Sequence, residues 1–289
     1  MGAKASKMNS CSEQLQQKCA REEYSSFESC EEFSIPDDLL VDVLSFVPHQ
    51  DLIQNCRSVC KQWRDIIDGH GVWKIKCERE RKTVPSLKLR NLPVHYYQLI
   101  YLFNPYGRNL IRNPCGEDGL RNWVVASNGG DGFIVENPPV GADAVPTEIG
   151  AQYCFATSYY VCSKHQIIDL VAKGIPAVVL DSGCIKIQVG EWYAARFDCA
   201  SEYKLTVQLV NEQFRDEEVF VDDFTVDSFE FTHREEQWTG KEWNLVTHTF
   251  DNVIKTRYVF FEHSGSDCQF WAGHFGSKMT GAFVRIICE

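Results

Sequence analysis

The feature that most narrows the fold is a change of hydrophobic period part-way along the chain. Apolar residues first recur three and four positions apart: Leu39, Leu40, Val43, Leu44 and Val47, then Leu52, Ile53 and Cys56, then Val59, Trp63, Ile66 and Ile67. Side chains at that spacing share one face of a helix. From Arg108 onward the runs turn short and alternating, broken by Gly, Asn, Asp and Pro. Tyr203, Leu205, Val207 and Leu209 are the clearest case, and Tyr258 to Glu262 and Phe283 to Ile287 are also strand-like. A period of two belongs to a half-buried strand. The two periods occupy separate stretches, which predicts an α+β multidomain protein: a small all-α module followed by a C-terminal antiparallel β-sandwich.

The boundaries follow from local signals. Residues 1–33 are polar and lack periodic apolar positions, the composition of a disordered tail. Ser34-Ile35-Pro36-Asp37-Asp38 reads as a helix start, with two carboxylates where the helix dipole favours them. Pro48 stops that helix, Asp51 caps a second, and a third runs through Val59 to Ile67 before the Gly69-His70-Gly71 turn. Three helices spanning 34–78 bury little apolar surface on their own, so a partner face is expected. Residues 79–107, with Tyr96, Tyr97, Leu99, Ile100, Tyr101, Leu102 and Phe103, read as a helical linker holding the module against the domain at 108–289.

Composition excludes several function classes. With 289 residues and 44% hydrophobic content, the chain can bury an ordinary core. Its 29 basic and 40 acidic residues give a formal charge of −11, leaving no broad basic surface for a phosphate backbone, so no nucleic-acid partner is expected. No run of about eighteen apolar residues offers a membrane span, and no apolar signal core opens the chain, so the expected location is cytoplasmic. The 13 cysteines are odd in number and scattered, which favours reduced thiols. Neither a zinc-spaced Cys/His set nor a cofactor motif is present, so no metal and no cofactor are expected. Gly129, Gly130 and Gly132 form a turn that lacks the Lys-Ser/Thr of a phosphate loop. The domain has no His-Glu-x-x-His and no Gly-x-Ser-x-Gly, which argues against an enzyme. At the N-terminus, Met-Gly-Ala-Lys-Ala-Ser matches the pattern for myristoylation at Gly2, implying association with the cytosolic face of a membrane.

Two loop segments combine aromatic and polar residues, Trp192 to Asp198 just before a strand and Asp267 to Phe275 between two strands. Aromatic rings beside a carboxylate suit a sugar: the ring packs on the apolar face of a pyranose while the carboxylate accepts from hydroxyls. The same rings also serve as core anchors, and spacing alone does not choose between the two.

The order Ile-Pro-Asp-Asp-Leu-Leu, Val-Leu-Ser-Phe-Val-Pro, Arg-Ser-Val-Cys-Lys-Gln-Trp-Arg and Val-Trp-Lys resembles the F-box, which docks on the Skp adaptor of cullin-based ubiquitin ligases. The resemblance implies that Pro36, Leu39, Leu40, Val59, Cys60 and Trp63 lie at or near the adaptor face. Further on, Arg108 to Glu117, Asn128 to Asp131, Phe155-Ala-Thr-Ser-Tyr, Gln166 to Leu170, Trp192 with Arg196, and Phe270-Trp-Ala-Gly-His-Phe-Gly276 resemble the F-box-associated domain of the sugar-recognising F-box proteins. That implies a sandwich like galactose-binding domains. It also implies a carbohydrate site in which Phe270 and Trp271 form a stacking platform and Arg196, Phe197 and Asp198 line the neighbouring loop. Phe270 keeps the ring and drops a hydroxyl found in relatives, Ala272 replaces a lysine, and Ile175 to Asp181 replaces a Trp-Glu-Glu-Leu-Leu-Asp run. The partners implied are the Skp adaptor, the cullin scaffold and N-glycosylated client proteins. The rival reading is an F-box adaptor whose sandwich grips a protein surface and no sugar.

Overall fold

A computed structural model describes residues 35–87, 91–212 and 224–288. The expected tail at 1–33 and the acylation signal at Gly2 lie outside the described residues. Four helices make the first module: α1 (Asp37–Ser45), α2 (His49–Gln54), α3 (Lys61–Asp68) and α4 (Gly71–Arg79). Pro36 and Pro48 stand immediately before α1 and α2, and their carbonyls accept from the Leu40 and Leu52 amides. Proline costs nothing there, because amides at a helix start have no partner within the helix. Asp37 and Asp38 fill the first turn of α1 as the dipole argument requires.

Three details differ from the sequence reading. Pro48, not Asp51, marks the start of the second helix. The third begins at Lys61, because Cys60 is extended and Val59 closes a preceding 3-10 turn. Val72 and Trp73 lie in a fourth helix, which the Gly69-His70-Gly71 turn had concealed. The module closes around Leu44, Leu52, Ile67, Val72 and Trp73. The Trp73 indole satisfies its one donor on the Ile67 carbonyl at 2.6 Å.

Helix α5 (Tyr96–Phe103) is apolar on more than one side and serves two cores. Tyr96 and Ile100 enter the core of the sandwich, while Tyr97 and Tyr101 pack against both that core and the core of the helical module. Each pair is four residues apart, so each forms one face of the helix. The Trp73 and Tyr101 rings lie 5.6 Å apart, and the Tyr101 hydroxyl donates to Glu80 at 2.6 Å.

The rest is the antiparallel sandwich. Its strands are β1 (Val124–Asn128), β2 (Ile134–Glu136), β3 (Cys154–Ala156), β4 (Cys162–Asp169), β5 (Ile185–Ala194), β6 (Ser201–Val210), β7 (Thr225–Glu235), β8 (Asn244–Phe250), β9 (Tyr258–Asp267) and β10 (Lys278–Cys288). One sheet runs β1-β4-β9-β6-β7 and the other β2-β3-β10-β5-β8. Tyr203, Leu205, Val207 and Leu209 of β6 all enter the core, as their alternation demands. The segment at Ile175 to Asp181 forms a short helix, α6 (Ala177–Leu180), with Ile175, Val179 and Leu180 buried. Trp192 is inside β5 and not before a strand: it pairs with Thr280 of β10 and Leu245 of β8. The loop that matters therefore begins at Ala195.

Candidate functional site

Two surfaces gather the residues singled out by sequence. On the helical module, Leu39 and Val43 of α1 and Phe46 at its C-terminal cap are exposed at steps of four and three, a single apolar stripe turned to solvent. Pro36, Val59 and Cys60 are exposed as well. The Gln62 side chain donates to the Ile35 carbonyl at 3.2 Å and to Asp37 at 2.8 Å, which fastens the start of α3 to the start of α1. Leu40 and Trp63 do not share the exposed stripe. Leu40 is 3% accessible where its neighbour Leu39 is 56%, and Trp63 packs against the module core. Adjacent helical positions point about 100° apart, so the pair Leu39-Leu40 divides between surface and interior. Sequence reasoning passed over Val43 and Phe46 on this face, although their spacing from Leu39 was the available signal.

The second surface is one end of the sandwich, where the β5–β6 loop meets the β9–β10 loop. Several contacts hold the two together. The Cys268 amide donates to the Ala200 carbonyl at 2.8 Å, the Cys199 thiol donates to the Gln269 side-chain oxygen at 2.8 Å, and the Arg196 guanidinium lies 4.2 Å over the Phe275 ring. Arg196 also grips Asp198 in a two-pronged ion pair at 2.7 and 3.2 Å. That pairing fixes both side chains and leaves each carboxylate oxygen of Asp198 a further lone-pair direction.

Phe270 and Trp271 stand outward at the tip of the β9–β10 loop, 65% and 40% exposed. Neither is a core anchor. Phe275 sits behind them, edge-on to Trp271 at 5.6 Å, and Tyr160 meets Phe270 edge-on at 5.9 Å. Phe270 holds a left-handed backbone with φ of 59°, which costs a bulky L-residue about 1–2 kcal/mol. Asp267 helps to fix that turn. It is nearly inaccessible, and one of its carboxylate oxygens accepts from the Phe270 amide. Burial pushes its pKa above the usual carboxylate range, against the opposing pull of the Phe270, Gln269 and Trp271 amides. Asp267 is thus an organiser of the loop and is too enclosed to take a ligand hydroxyl. On the far side, the Asp131 carboxylate accepts from the Gly273 amide at 2.7 Å and the Ser158 hydroxyl donates to the Gly273 carbonyl at 2.7 Å.

The structure therefore brings Arg196, Phe197, Asp198, Phe270 and Trp271 to the same end of the sandwich. It adds Phe275 and the Asp131–Ser158 tether, which lie in the motifs but carry no task there, and Tyr160, which lies one position beyond the Phe155-Ala-Thr-Ser-Tyr motif. Among the described residues, no group of three or more His, Cys, Asp or Glu side chains could hold a metal ion, and no helix is long and apolar enough to cross a membrane.

Comparison with known proteins agrees with this two-part arrangement. Residues 101–286 match the F-box associated region, and residues 33–79 match an F-box-like domain. Mouse F-box only protein 27 is 37% identical over 267 residues, covering 88% of this chain and 91% of its own. Human F-box only protein 17 is 37% identical over 270 residues with the same two coverages, and cattle F-box only protein 6 is 37% identical over 257 residues, 87% of this chain and 91% of its own. With both matches in sequence order and relatives aligned along most of their length, the chain belongs to the F-box proteins that carry an F-box-associated region.

Proposed function

We propose that this chain is the substrate-recognition subunit of a Skp-cullin-F-box ubiquitin ligase and that it selects N-glycosylated client proteins through the inner chitobiose of high-mannose glycans. The observation that carries the sugar assignment is the exposed Phe270–Trp271 platform, braced from behind by Phe275 and flanked by the Arg196–Asp198 pair. Apolar faces for pyranose rings then stand beside fixed acceptors and donors for hydroxyls. The Skp adaptor covers the Leu39, Val43, Phe46 and Val59 surface, with Pro36 and Cys60 at its margin and Leu40 and Trp63 supporting it from within.

In this role the chain performs no chemistry. It raises the effective concentration of a client lysine near a charged ubiquitin carrier, and a client held by its glycan needs no catalytic residue here. A cytosolic binder of N-glycans meets them on misfolded glycoproteins exported from the endoplasmic reticulum or on damaged lysosomes, and a myristoyl chain on Gly2 places the ligase near those membranes. One acyl chain gives marginal anchoring, so attachment is reversible. Titration of the full chain with chitobiose tests the sugar assignment. The wild type binds saturably and Trp271→Ala loses at least tenfold in affinity; absence of binding by a folded wild type contradicts it.

A further inference from the structure

Beside the β5–β6 loop lies an open groove of about 570 Å³, lined by Phe197, Glu235, Trp238, Thr239, Lys241 and Glu242 among others. None of the sequence motifs discussed above includes Trp238. Its indole is nevertheless 68% exposed, tilted against the Phe197 ring at 6.2 Å. An exposed tryptophan against an exposed phenylalanine forms a contiguous apolar patch, the kind of surface that marks ligand or partner sites.

The backbone supplies a second observation. Trp238 has a φ of 71°, the left-handed region that bulky side chains avoid. Phe270 on the platform has the same property. Two exposed aromatic residues at one end of the sandwich are thus both held outward by strained turns that their surroundings impose.

The Trp238 turn is fastened at three points to the β5–β6 loop, which flanks the platform. The Trp238 amide donates to the Phe197 carbonyl at 2.6 Å, the Ala195 amide to the Gly240 carbonyl at 2.8 Å, and the Gln237 side chain to the Asp198 carbonyl at 2.9 Å. The groove is therefore tied to the loop that carries Arg196 and Asp198, and Arg196 in turn lies over Phe275 behind the platform. Within the groove, the Thr239 hydroxyl donates to Glu235 at 2.6 Å and the Lys241 ammonium pairs with Asp143 at 3.4 Å, so its polar groups are held in place. Rings for apolar faces with hydroxyl, carboxylate and ammonium groups for hydroxyls is the same chemistry as the platform. The volume falls in the range of small-ligand sites, about 300–1,000 Å³.

We infer that the Phe197–Trp238 groove is a second carbohydrate subsite, which takes the mannose residues of the same glycan whose chitobiose lies on Phe270 and Trp271. This rests on the platform being a sugar site. It predicts selection for glycan length: the branched pentasaccharide core (chitobiose bearing three mannoses) fills both subsites, whereas chitobiose fills one.

Calorimetric titration of the full chain with chitobiose and with the pentasaccharide separates the two claims. The wild type binds the pentasaccharide about tenfold more tightly. Trp238→Ala binds chitobiose like the wild type but loses that gain, and Trp238→Phe recovers most of it. Equal affinities of the wild type for both sugars overturn the subsite. So does a Trp238→Ala protein that keeps the full preference, or one that weakens both sugars alike, since the residue is then only a brace for the Phe197 loop. Trp238-dependent binding of an unfolded, deglycosylated carrier protein, without any preference for the longer sugar, reassigns the groove to polypeptide. Failure of the wild type to bind either sugar defeats the platform reading and the subsite with it.

Discussion

Glu191 of β5 reaches across the sandwich to side chains of the opposite sheet. It accepts from the Tyr203 hydroxyl at 2.5 Å and from His263 Nδ1 at 2.7 Å, and the Lys164 ammonium group meets His263 Nε2. All four residues are buried. With Nδ1–H donating to the carboxylate and Nε2 accepting from lysine, the neutral imidazole satisfies both neighbours. Trp123 stacks on His263 at 4.5 Å, covering one face of the imidazole. Burial, aided by Lys164 and opposed by Glu191, pulls the His263 pKa down to about 4. The unfolded histidine, near its ordinary 6.5, binds a proton first as pH falls. Stability from this residue is therefore complete above about pH 6.5 and is lost as pH drops toward 4, a change on the order of 3 kcal/mol. Burial also holds Lys164 well below its ordinary range, which adds the same sign. Denaturant unfolding at pH 7, 6, 5 and 4 checks this, with a flatter slope over that interval for His263→Gln. An unchanged slope in the variant assigns the acid sensitivity elsewhere. The partner of His263 lies 72 positions away on another strand. Only the pairing of sheets puts Glu191 opposite His263, and period-two patterns do not encode that pairing.

At the scale of elements, the apolar spacing made α1 and β6 legible because each has one clear inward face. The ends were harder. Pro48 starts α2 through its carbonyl, Val59 fits the period of α3 without belonging to it, and Trp192 lies in β5 while resembling a loop residue. A periodic pattern carries no information on where hydrogen bonding begins. The exposed stripe of α1 was half legible, since Leu39 and Leu40 carry the same chemistry and only the packed helix separates them. Val59→Asp should lower affinity for the Skp adaptor more than tenfold while changing stability by less than about 0.5 kcal/mol, as an exposed site allows. A pull-down combined with thermal unfolding checks both halves, and undiminished adaptor capture by Val59→Asp counts against this face. In the sugar-side loops, a Cβ on Gly276 would collide with the Thr157 hydroxyl and crowd the Asp267 amide and Ser158 carbonyl, both at 3.0 Å. Gly276→Ala is therefore expected to displace the Phe270–Trp271 tip and to weaken chitobiose binding along with stability, measurable by the same titration and melt.

For the molecule as a whole, the switch of period near residue 108 announced two folding units, and the ordered motifs within each pointed to the two families that match. The geometry between them was not legible in the same way. A segment of eight residues rich in Tyr, Leu, Ile and Phe reads only as a packed connector. That Tyr96 and Ile100 belong to the sandwich core, while Tyr97 and Tyr101 touch both cores, follows from how α5 lies between the two. Sharing one helix ties the helical module to the sandwich through common core contacts, and under the proposed function this arrangement presents a bound client in a fixed direction. The central claim is that one chain holds adaptor and glycoprotein at the same time through surfaces that fail separately. Co-precipitation of a Skp adaptor and a high-mannose glycoprotein on the full chain measures it directly. The wild type should retain both, Val59→Asp only the glycoprotein, and Trp271→Ala only the adaptor; a folded wild type that captures no glycoprotein, or a Trp271→Ala chain that captures it undiminished, would contradict the account.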